Sequence, residues 1–133
     1  MDCLPHILAI ALHSQGGFNT AVPGLGLFCR ADSVIAGAGA YANSEKAVER
    51  KVSQYAFGGW QPFKLGDLRA GAMVGLVNGY SYNSGRTIPM AAAVLSWPLP
   101  SALRPLDAAH ITLIPPVRGV TPAVAQLSFT LRF

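Results

Sequence analysis

Apolar and polar residues alternate along much of this chain, which is the spacing expected of β-strands. The alternation is clearest in residues 124–133. One face of that segment is apolar and comprises Ala125, Leu127, Phe129, Leu131 and Phe133. The opposite face carries an arginine, a glutamine and two hydroxyl groups. Two settings fit such a strand: an antiparallel sheet over a protein core, and a barrel strand with its apolar face in lipid.

Similar segments, separated by turn residues and charged stretches, predict eight strands in all. They cover residues 4–14, 21–30, 34–43, 52–62, 68–80, 88–97, 108–114 and 124–133. In the first strand we expect Leu8 and Leu12 on the outer side and His13 on the inner side. Pro23 cannot donate a backbone hydrogen bond, so strand pairing should be interrupted near the start of the second strand.

The composition favours the lipid setting. Hydrophobic residues make up 51% of the 133 positions and charged residues only 12%, about half the usual charged fraction of a soluble domain. No apolar run approaches the ~18 residues of a spanning helix, and 14 Gly and 10 Pro argue against long helices. We therefore predict an all-β fold: one domain over residues 1–133, an eight-stranded antiparallel transmembrane β-barrel. A barrel of this size has a lumen that side chains can fill, so a diffusion pore is not expected.

The connections indicate an orientation. Those after the first, third, fifth and seventh strands carry much of the polar sequence, whereas those after the second and fourth are short. In outer-membrane barrels the long loops face outward and both termini are periplasmic, which we expect here. The connection after the sixth strand departs from this pattern because it is long. No secretory signal is present at the N-terminus, so we expect that a targeting segment has been removed.

Charge and cysteine content exclude several functions. The net charge is +4 without a basic stripe carrying interleaved aromatics, so no nucleic-acid partner is expected. Cys3 and Cys29 lack metal-ligand spacing, and we predict neither a metal nor a cofactor. The two cysteines could meet across the first hairpin and form a disulfide in an oxidising compartment, with two unpaired thiols as the alternative.

Beyond the C-terminal pattern, which is similar to the C-terminal signal of bacterial outer-membrane barrels, the chain resembles a known family. The matching features, in order, are His13, Pro23-Gly24-Leu25-Gly26-Leu27, Ala40-Tyr41-Ala42-Asn43-Ser44, Tyr55, Trp60-Gln61-Pro62 and Ile114-Pro115. In this order and spacing they resemble a shortened, remote relative of the PagP-type lipid A palmitoyltransferases. Small barrels of that kind found in phages and prophages are similar too.

The resemblance implies a catalytic set of His, Asp and Ser at the outer rim, which transfers an acyl chain from a phospholipid to lipid A. By position the histidine is His13 and the serine is Ser44, but the acid position holds Asn43. A serine nucleophile needs a base such as histidine, and a carboxylate normally orients that base. An amide at Asn43 could orient a group or help to hold an oxyanion. The first strand begins almost at Met1, so we expect no counterpart of the family's amphipathic N-terminal helix in this sequence.

Two further roles belong to this hypothesis. Breaks in strand pairing at Pro23 and at Pro115-Pro116 would give lipid a lateral entrance. Lys46, Arg50 and Lys51, in the loop after Ser44, are candidates for contact with lipid phosphates.

The sequence thus predicts a monomeric, integral outer-membrane protein with phospholipid and lipopolysaccharide as partners. It would move or release an acyl chain at the outer rim. Whether the protein is an enzyme is left open by Asn43. The first alternative is a non-enzymatic surface barrel of phage or prophage type, whose loops alter receptor access or bind a partner. The second is a soluble barrel or sandwich that binds an apolar ligand.

Overall fold

The computed structural model describes residues 1–14, 20–42, 52–79, 86–116 and 123–133, and they form a closed antiparallel β-barrel. Each of its eight strands pairs with its neighbours in chain order, and β1 pairs with β8 to close the barrel. The strands are β1 Asp2–His13, β2 Ala21–Ala31, β3 Val34–Ala42, β4 Val52–Leu65, β5 Leu68–Val77, β6 Ile88–Pro98, β7 Leu106–Ile114 and β8 Val124–Leu131. The all-β, eight-stranded antiparallel barrel predicted from the sequence is confirmed.

The barrel has two distinct ends. The terminal rim carries both chain termini, the two-residue turns after β2 and β4, and a 3-10 turn at Ser101–Leu103 before β7. The distal rim carries the connections after β1, β3, β5 and β7. Within the described residues no helix is long and apolar enough to cross a membrane.

Left-handed backbone conformations define the two short turns at the terminal rim. Gly66 adopts a φ of 61° and Asp32 a φ of 58°. Glycine reaches this region without a steric penalty, and aspartate tolerates it better than most residues because its short side chain can bond locally. Residues of this kind allow the chain to reverse in two residues and keep neighbouring strands in register.

Alternation places apolar groups on the outside of the barrel, and both polar and apolar groups inside it. The buried polar side chains are His6, Ser53, Gln61, Ser96, His110, Thr112, Ser128 and Thr130. The exposed apolar side chains of the strands include Leu12, Leu25, Leu27, Val34, Val52, Trp60, Val74, Leu76 and Leu113. In β8 the predicted faces are confirmed, since Ser128 and Thr130 are buried and Leu127 and Phe129 are not.

Charged residues are confined to the two ends of the barrel. Every Asp, Lys and Arg in the described ranges lies in a connection, beside a chain terminus or within two residues of a strand end. Between the rims, the described part of the outer wall therefore carries no charged side chain. With a rise of about 3.3 Å per residue and a tilt of about 40°, an 11-residue strand spans roughly 28 Å of this wall.

One predicted side-chain direction is wrong because β1 is irregular. Leu8 was expected on the outer side, but only 6% of it is exposed. The register of β1 shifts between Leu8 and Ile10 against both β2 and β8, and such a bulge reverses the facing of the residues around it. Beyond the shift the expectation holds, because Leu12 is exposed and Ala11 is buried.

Two predicted strand ends also need correction. β4 continues past Pro62 to Leu65, because Pro62 lies within a register shift between Trp60 and Phe63 and its missing N–H costs no ladder bond. β5 ends at Val77, three residues before the predicted end. Gly79 takes a φ of 87° there, which turns the chain out of the strand. Smaller extensions occur at the starts of β1 and β7.

Aromatic rings packed against glycines fill one side of the lumen. Inward-facing glycines recur in β2 and β3, and Tyr55 and Phe57 of β4 lie over them. A Cβ at Gly39 would stand 2.7 Å from the Tyr55 hydroxyl, and one at Gly37 2.5 Å from the Phe57 ring. The rings of Tyr55 and Phe57 stack with centroids 6.2 Å apart. The glycines thus provide the space that these rings occupy, and the lumen is packed at this level.

The terminal rim is stabilised by a disulfide and by two salt bridges of Arg132. Cys3 and Cys29 are direct partners in the β1–β2 ladder and form a disulfide, which settles the alternative left open by the sequence. Arg132 donates to Asp2 at 2.7 Å and to Asp107 at 3.0 Å, which joins the two ends of the chain to the start of β7. Hydrogen bonding to Asp2, then to Asp107, raises the pKa of Arg132.

Candidate functional site

The pairing of β6 with β7 stops before either strand reaches the distal rim. In the described residues the ladder ends at Ala93 and Leu113, although β6 extends a further five residues to Ile88. Pro115 and Pro116 follow β7 directly and offer no N–H groups with which to extend the ladder. The interruption predicted at these prolines is therefore present, and we call this open join the β6–β7 seam.

An apolar recess of about 800 Å³, the seam cavity, lies at this join. Its lining comes from β5, β6, β7, β8 and the end of β1, and small side chains predominate. The alanines that line it are Ala72, Ala91, Ala92, Ala93, Ala123 and Ala125. Alanine fills less space than the leucines and valines that share this lining, and so contributes to the recess. Such a recess suits a hydrocarbon chain by size and polarity.

His13 lines the seam cavity together with Ser14 and Pro115. Its position at the end of β1 is fixed by the next residue. The Ser14 N–H donates to the Ala123 carbonyl oxygen at 2.9 Å, and the Ser14 hydroxyl accepts from the Ala123 N–H at 2.9 Å. The structure thus brings the predicted catalytic histidine and one predicted gate proline to one apolar recess.

The remaining members of the predicted catalytic set lie outside the described residues. These are Ser44 and Asn43, and the predicted phosphate contacts Lys46, Arg50 and Lys51 lie outside them too. The last described residue before them is Ala42 at the end of β3. β2 separates this strand from β1, so the two backbones stand about 10 Å apart along the wall. A contact between His13 and Ser44 stays a prediction.

Pro23 lies at a second interruption, away from the seam cavity. The β1–β2 ladder shifts between Leu8, which opposes Gly24, and Ile10, which opposes Ala21. Pro23 falls inside this shift, and the β2–β3 ladder starts only at Gly24. The predicted break at Pro23 is present, but in strand order β7, β8 and β1 stand between it and the β6–β7 seam.

A chain of hydrogen bonds crosses the lumen nearer the terminal rim. Arg30 donates to the Gln61 carbonyl oxygen at 2.6 Å, and the Gln61 amide donates to Ser96 Oγ at 3.0 Å. Ser96 Oγ lies 2.7 Å from His110 Nδ1, and His110 Nε2 lies 3.3 Å from Thr130 Oγ1. With its proton on Nε2, neutral His110 accepts from Ser96 and donates to Thr130. This chain links five strands: β2, β4, β6, β7 and β8.

The Ser96–His110 pair has the separation of a nucleophile and its base, but its surroundings point to packing. Ser96 and His110 are each only 3% exposed, and the Ser96 hydroxyl is already engaged by Gln61. The His110 ring stacks on Phe28 with centroids 4.4 Å apart. A substrate could not reach this hydroxyl without displacing the core, so the pair serves as an internal support.

A second polar contact lies beside this chain. His6 Nδ1 stands 3.2 Å from the Tyr55 hydroxyl, and the His6 ring meets the His110 ring edge-on at 5.8 Å. His6 Nε2 is buried without a hydrogen-bond partner. The described residues contain no group of three or more His, Cys, Asp or Glu that could hold a metal ion.

Sequence reasoning identified the inward polar positions but missed how they connect. The two-residue period of β7 puts His110 on the face opposite Leu113, yet it gives no sign that Ser96, Gln61 and Arg30 join His110 in one hydrogen-bonded chain. These residues are 14, 49 and 80 positions away along the sequence, so their contact depends on the closure and stagger of the barrel.

Comparison with known proteins adds no further constraint on function. The chain matches no protein-family model, and no curated protein is similar to it at a significant level.

Proposed function

We propose that this protein is an integral barrel of the bacterial outer membrane that moves or releases a phospholipid acyl chain at its distal rim. The lipid setting is supported by the outer wall, which is apolar and uncharged between the rims over the described residues. A continuous exposed apolar surface of this extent is rare on soluble monomers. The disulfide fits an oxidising compartment such as the periplasm, and the terminal rim would face it.

This setting has a direct test. After expression behind a cleaved signal sequence, the protein should remain in the membrane fraction through carbonate and urea washes and be released by detergent. Its electrophoretic mobility should change on boiling, because a folded barrel resists detergent until it is heated. Release in detergent-free buffer would refute the lipid setting.

The proposed chemistry follows from His13 at the seam cavity, the single observation that supports it best. An acyl chain would enter between β6 and β7 and place its ester at the distal rim. Ser44 Oγ would attack the ester carbonyl carbon while His13 takes the serine proton and then gives it to the departing lysophospholipid alkoxide. The acyl group on Ser44 would then pass to a lipid A hydroxyl or to water. Lys46, Arg50 and Lys51 would pair with the lipid phosphates.

Variants at His13, Ser44 and Asn43 test this chemistry, and a variant at Ser101 serves as the control. His13→Ala and Ser44→Ala should each abolish release of labelled fatty acid from phospholipid in mixed micelles. Ser101→Ala at the terminal rim should leave it unchanged. Asn43→Asp should raise turnover by roughly tenfold or more, because a carboxylate orients and stabilises the histidine far better than an amide. If folded His13→Ala and Ser44→Ala retain wild-type activity, these roles are wrong.

The lateral entrance has its own test. Ala92 and Ile114 would be the next partners in the β6–β7 ladder, so an Ala92→Cys, Ile114→Cys disulfide should close the seam. Closure should suppress acyl release, and a reductant should restore it. A matched pair at Ala38 and Ala56, partners in the intact β3–β4 ladder, should have no effect. Full activity with the seam disulfide formed would exclude this entrance.

The second candidate is a small surface barrel without catalytic activity, whose loops bind a partner or alter receptor access. It is favoured by the packed lumen, where Phe28, Ile35 and Val94 form a buried cluster with Phe57 against it. A long acyl chain could enter the lumen at this level only by displacing that cluster. A folded wild-type protein and an Asn43→Asp variant that both lack acyl release would support this candidate.

A further inference from the structure

The lumen side of the terminal rim gathers three cations from adjacent parts of the barrel. Lys64 and Arg69 are direct partners in the β4–β5 ladder, and Arg30 comes from β2. Arg69 Nη1 donates to the backbone oxygen of Asp32 at 3.0 Å. Asp32 follows Arg30 by two residues, so this bond holds Arg69 near the end of β2. Since Lys64 and Arg69 face inward with Gly71 and Met73, all three cations share one mouth.

These cations lack carboxylate partners. In the described ranges no Asp or Glu oxygen comes within 4.0 Å of Arg30, Lys64 or Arg69, and the ion pairs found there belong to Arg132. Arg132 already holds two of the four aspartates of this rim, Asp2 and Asp107. The repulsion between neighbouring cations is therefore not offset by a direct ion pair in this part of the chain.

Arg30 also has a free donor. Its Nη2 bonds Gln61, and its guanidinium lies 5.9 Å from the Phe28 ring centroid. Its Nη1 is buried and has no hydrogen-bond partner. A buried donor on a charged group costs free energy when it has no acceptor. Guanidinium groups match tetrahedral oxyanions well, because their N–H groups bond two oxygens at once.

We propose that this mouth is a binding site for a phosphate-class oxyanion, held by Arg30, Arg69 and Lys64. The anion would pair with Lys64 and Arg69 at the mouth, would reach Arg30 Nη1 once the side chains that cover it move aside, and would neutralise the repulsion among the cations. The same chemistry is offered by inorganic phosphate and by the phosphodiester of an anionic lipid such as phosphatidylglycerol. This site is independent of the proposed acyl chemistry, which lies at the opposite rim.

The test uses the refolded full-length chain in zwitterionic detergent, titrated with inorganic phosphate by calorimetry. Wild-type protein should bind saturably. Arg69→Gln and Lys64→Gln should each weaken binding by roughly ten- to a hundredfold, because each removes a charge-assisted contact. Arg104→Gln lies on the same rim outside the cluster and removes the same charge, so it should bind as wild type. Arg30 is kept because it also supports Gln61.

A second arm identifies the source of the phosphate group. Phosphate binding to wild-type protein is measured in nanodiscs of phosphatidylcholine alone and in nanodiscs that also contain phosphatidylglycerol. The comparison shows whether phosphatidylglycerol excludes added phosphate from the site. Exclusion identifies the lipid headgroup, and unchanged phosphate binding identifies the free ion. The absence of saturable phosphate binding in detergent, or equal losses in Arg104→Gln and Arg69→Gln, would overturn the site.

Discussion

At the scale of single residues, packing of the barrel requires glycine at several positions, because neighbouring groups occupy the space that a larger side chain would fill. Gly37 and Gly39 leave the space that Tyr55 and Phe57 fill. Gly71 has a different role, because it opposes the bulge of β4 at Gln61 and Pro62. The bulged strand approaches so closely there that a Cβ would overlap the Trp60 carbonyl oxygen.

We therefore predict that Gly71→Ala strongly impairs folding. The added methyl group must displace backbone, which a closed ladder cannot accommodate locally. Refolding yield, read from the heat-dependent mobility shift, should fall by more than half. Gly58→Ala is the matched control, since a Cβ at Gly58 meets nothing within 4 Å, and it should refold as well as wild type or better. Equal yields for the two variants would contradict this explanation.

A second prediction concerns Gln61, which is 0% exposed and joins Arg30 to Ser96. Gln61→Leu keeps the volume but leaves Arg30 and Ser96 without this partner. Unpaired buried polar groups cost about 1–3 kcal/mol each, so the free energy of unfolding in urea should fall by about 2 kcal/mol or more. Gln54→Leu, on an exposed position of the same strand, should change it by less than about 1 kcal/mol.

At the scale of elements, the position of each irregular ladder determines where neighbouring strands are paired and where their pairing is interrupted. The β1–β2 hairpin is joined by a disulfide near the terminal rim and interrupted at Pro23 near the distal rim. The β6–β7 pair is likewise regular toward the terminal rim and open beyond Ala93. Toward the distal rim the β6–β7 ladder is therefore open, and the ladders of β1 with β2 and with β8 are irregular.

Removing the disulfide should lower stability without changing the fold. Cys3 and Cys29 are 26 residues apart, and for a loop of this length the chain-entropy relation predicts that the disulfide contributes about 3.5 kcal/mol. The Cys3→Ser, Cys29→Ser protein should therefore unfold at lower urea concentration in lipid bilayers, by tryptophan fluorescence. Wild-type protein under reducing conditions should unfold at the same urea concentration as this double variant. A midpoint that does not move would mean that the ladder alone holds this hairpin.

At the scale of the whole molecule, an apolar outer wall encloses a packed lumen in which buried polar side chains lie beside buried apolar ones. A soluble barrel in water would instead present polar side chains on its outer wall. The hydrogen-bonded chain from Arg30 to Thr130 and the rings of Phe28, Tyr55 and Phe57 lie across the interior. Because these side chains cross the interior and most of them are buried, we expect no continuous water path past them.

The molecule should accordingly conduct no ions. In planar bilayers, purified protein should give no stepwise current at 100 mV, because passage would require several buried side chains to move together. Insertion is verified independently by protease protection of liposomes made with the same lipid. Regular conductance steps from protein that has inserted would contradict a packed lumen.

The candidate site was only partly accessible to sequence reasoning. The position of His13 at a strand end and the pairing breaks at the prolines follow from local chemistry, since a proline lacks its N–H wherever it stands. The approach of His13 to Pro115 does not, because 102 positions separate them. β1 and β7 are brought together on either side of β8 only when the barrel closes.

What the sequence by itself determined was the number of strands, their approximate extents and the side on which most residues face. These are local properties, because the two-residue period of a strand is visible in the sequence as alternating apolar and polar residues. Only the tertiary structure decided the facing of Leu8, the disulfide, the seam cavity and the connected lumen chain. Each depends on register across neighbouring strands, and a single bulge shifts that register without leaving a mark in the alternating pattern.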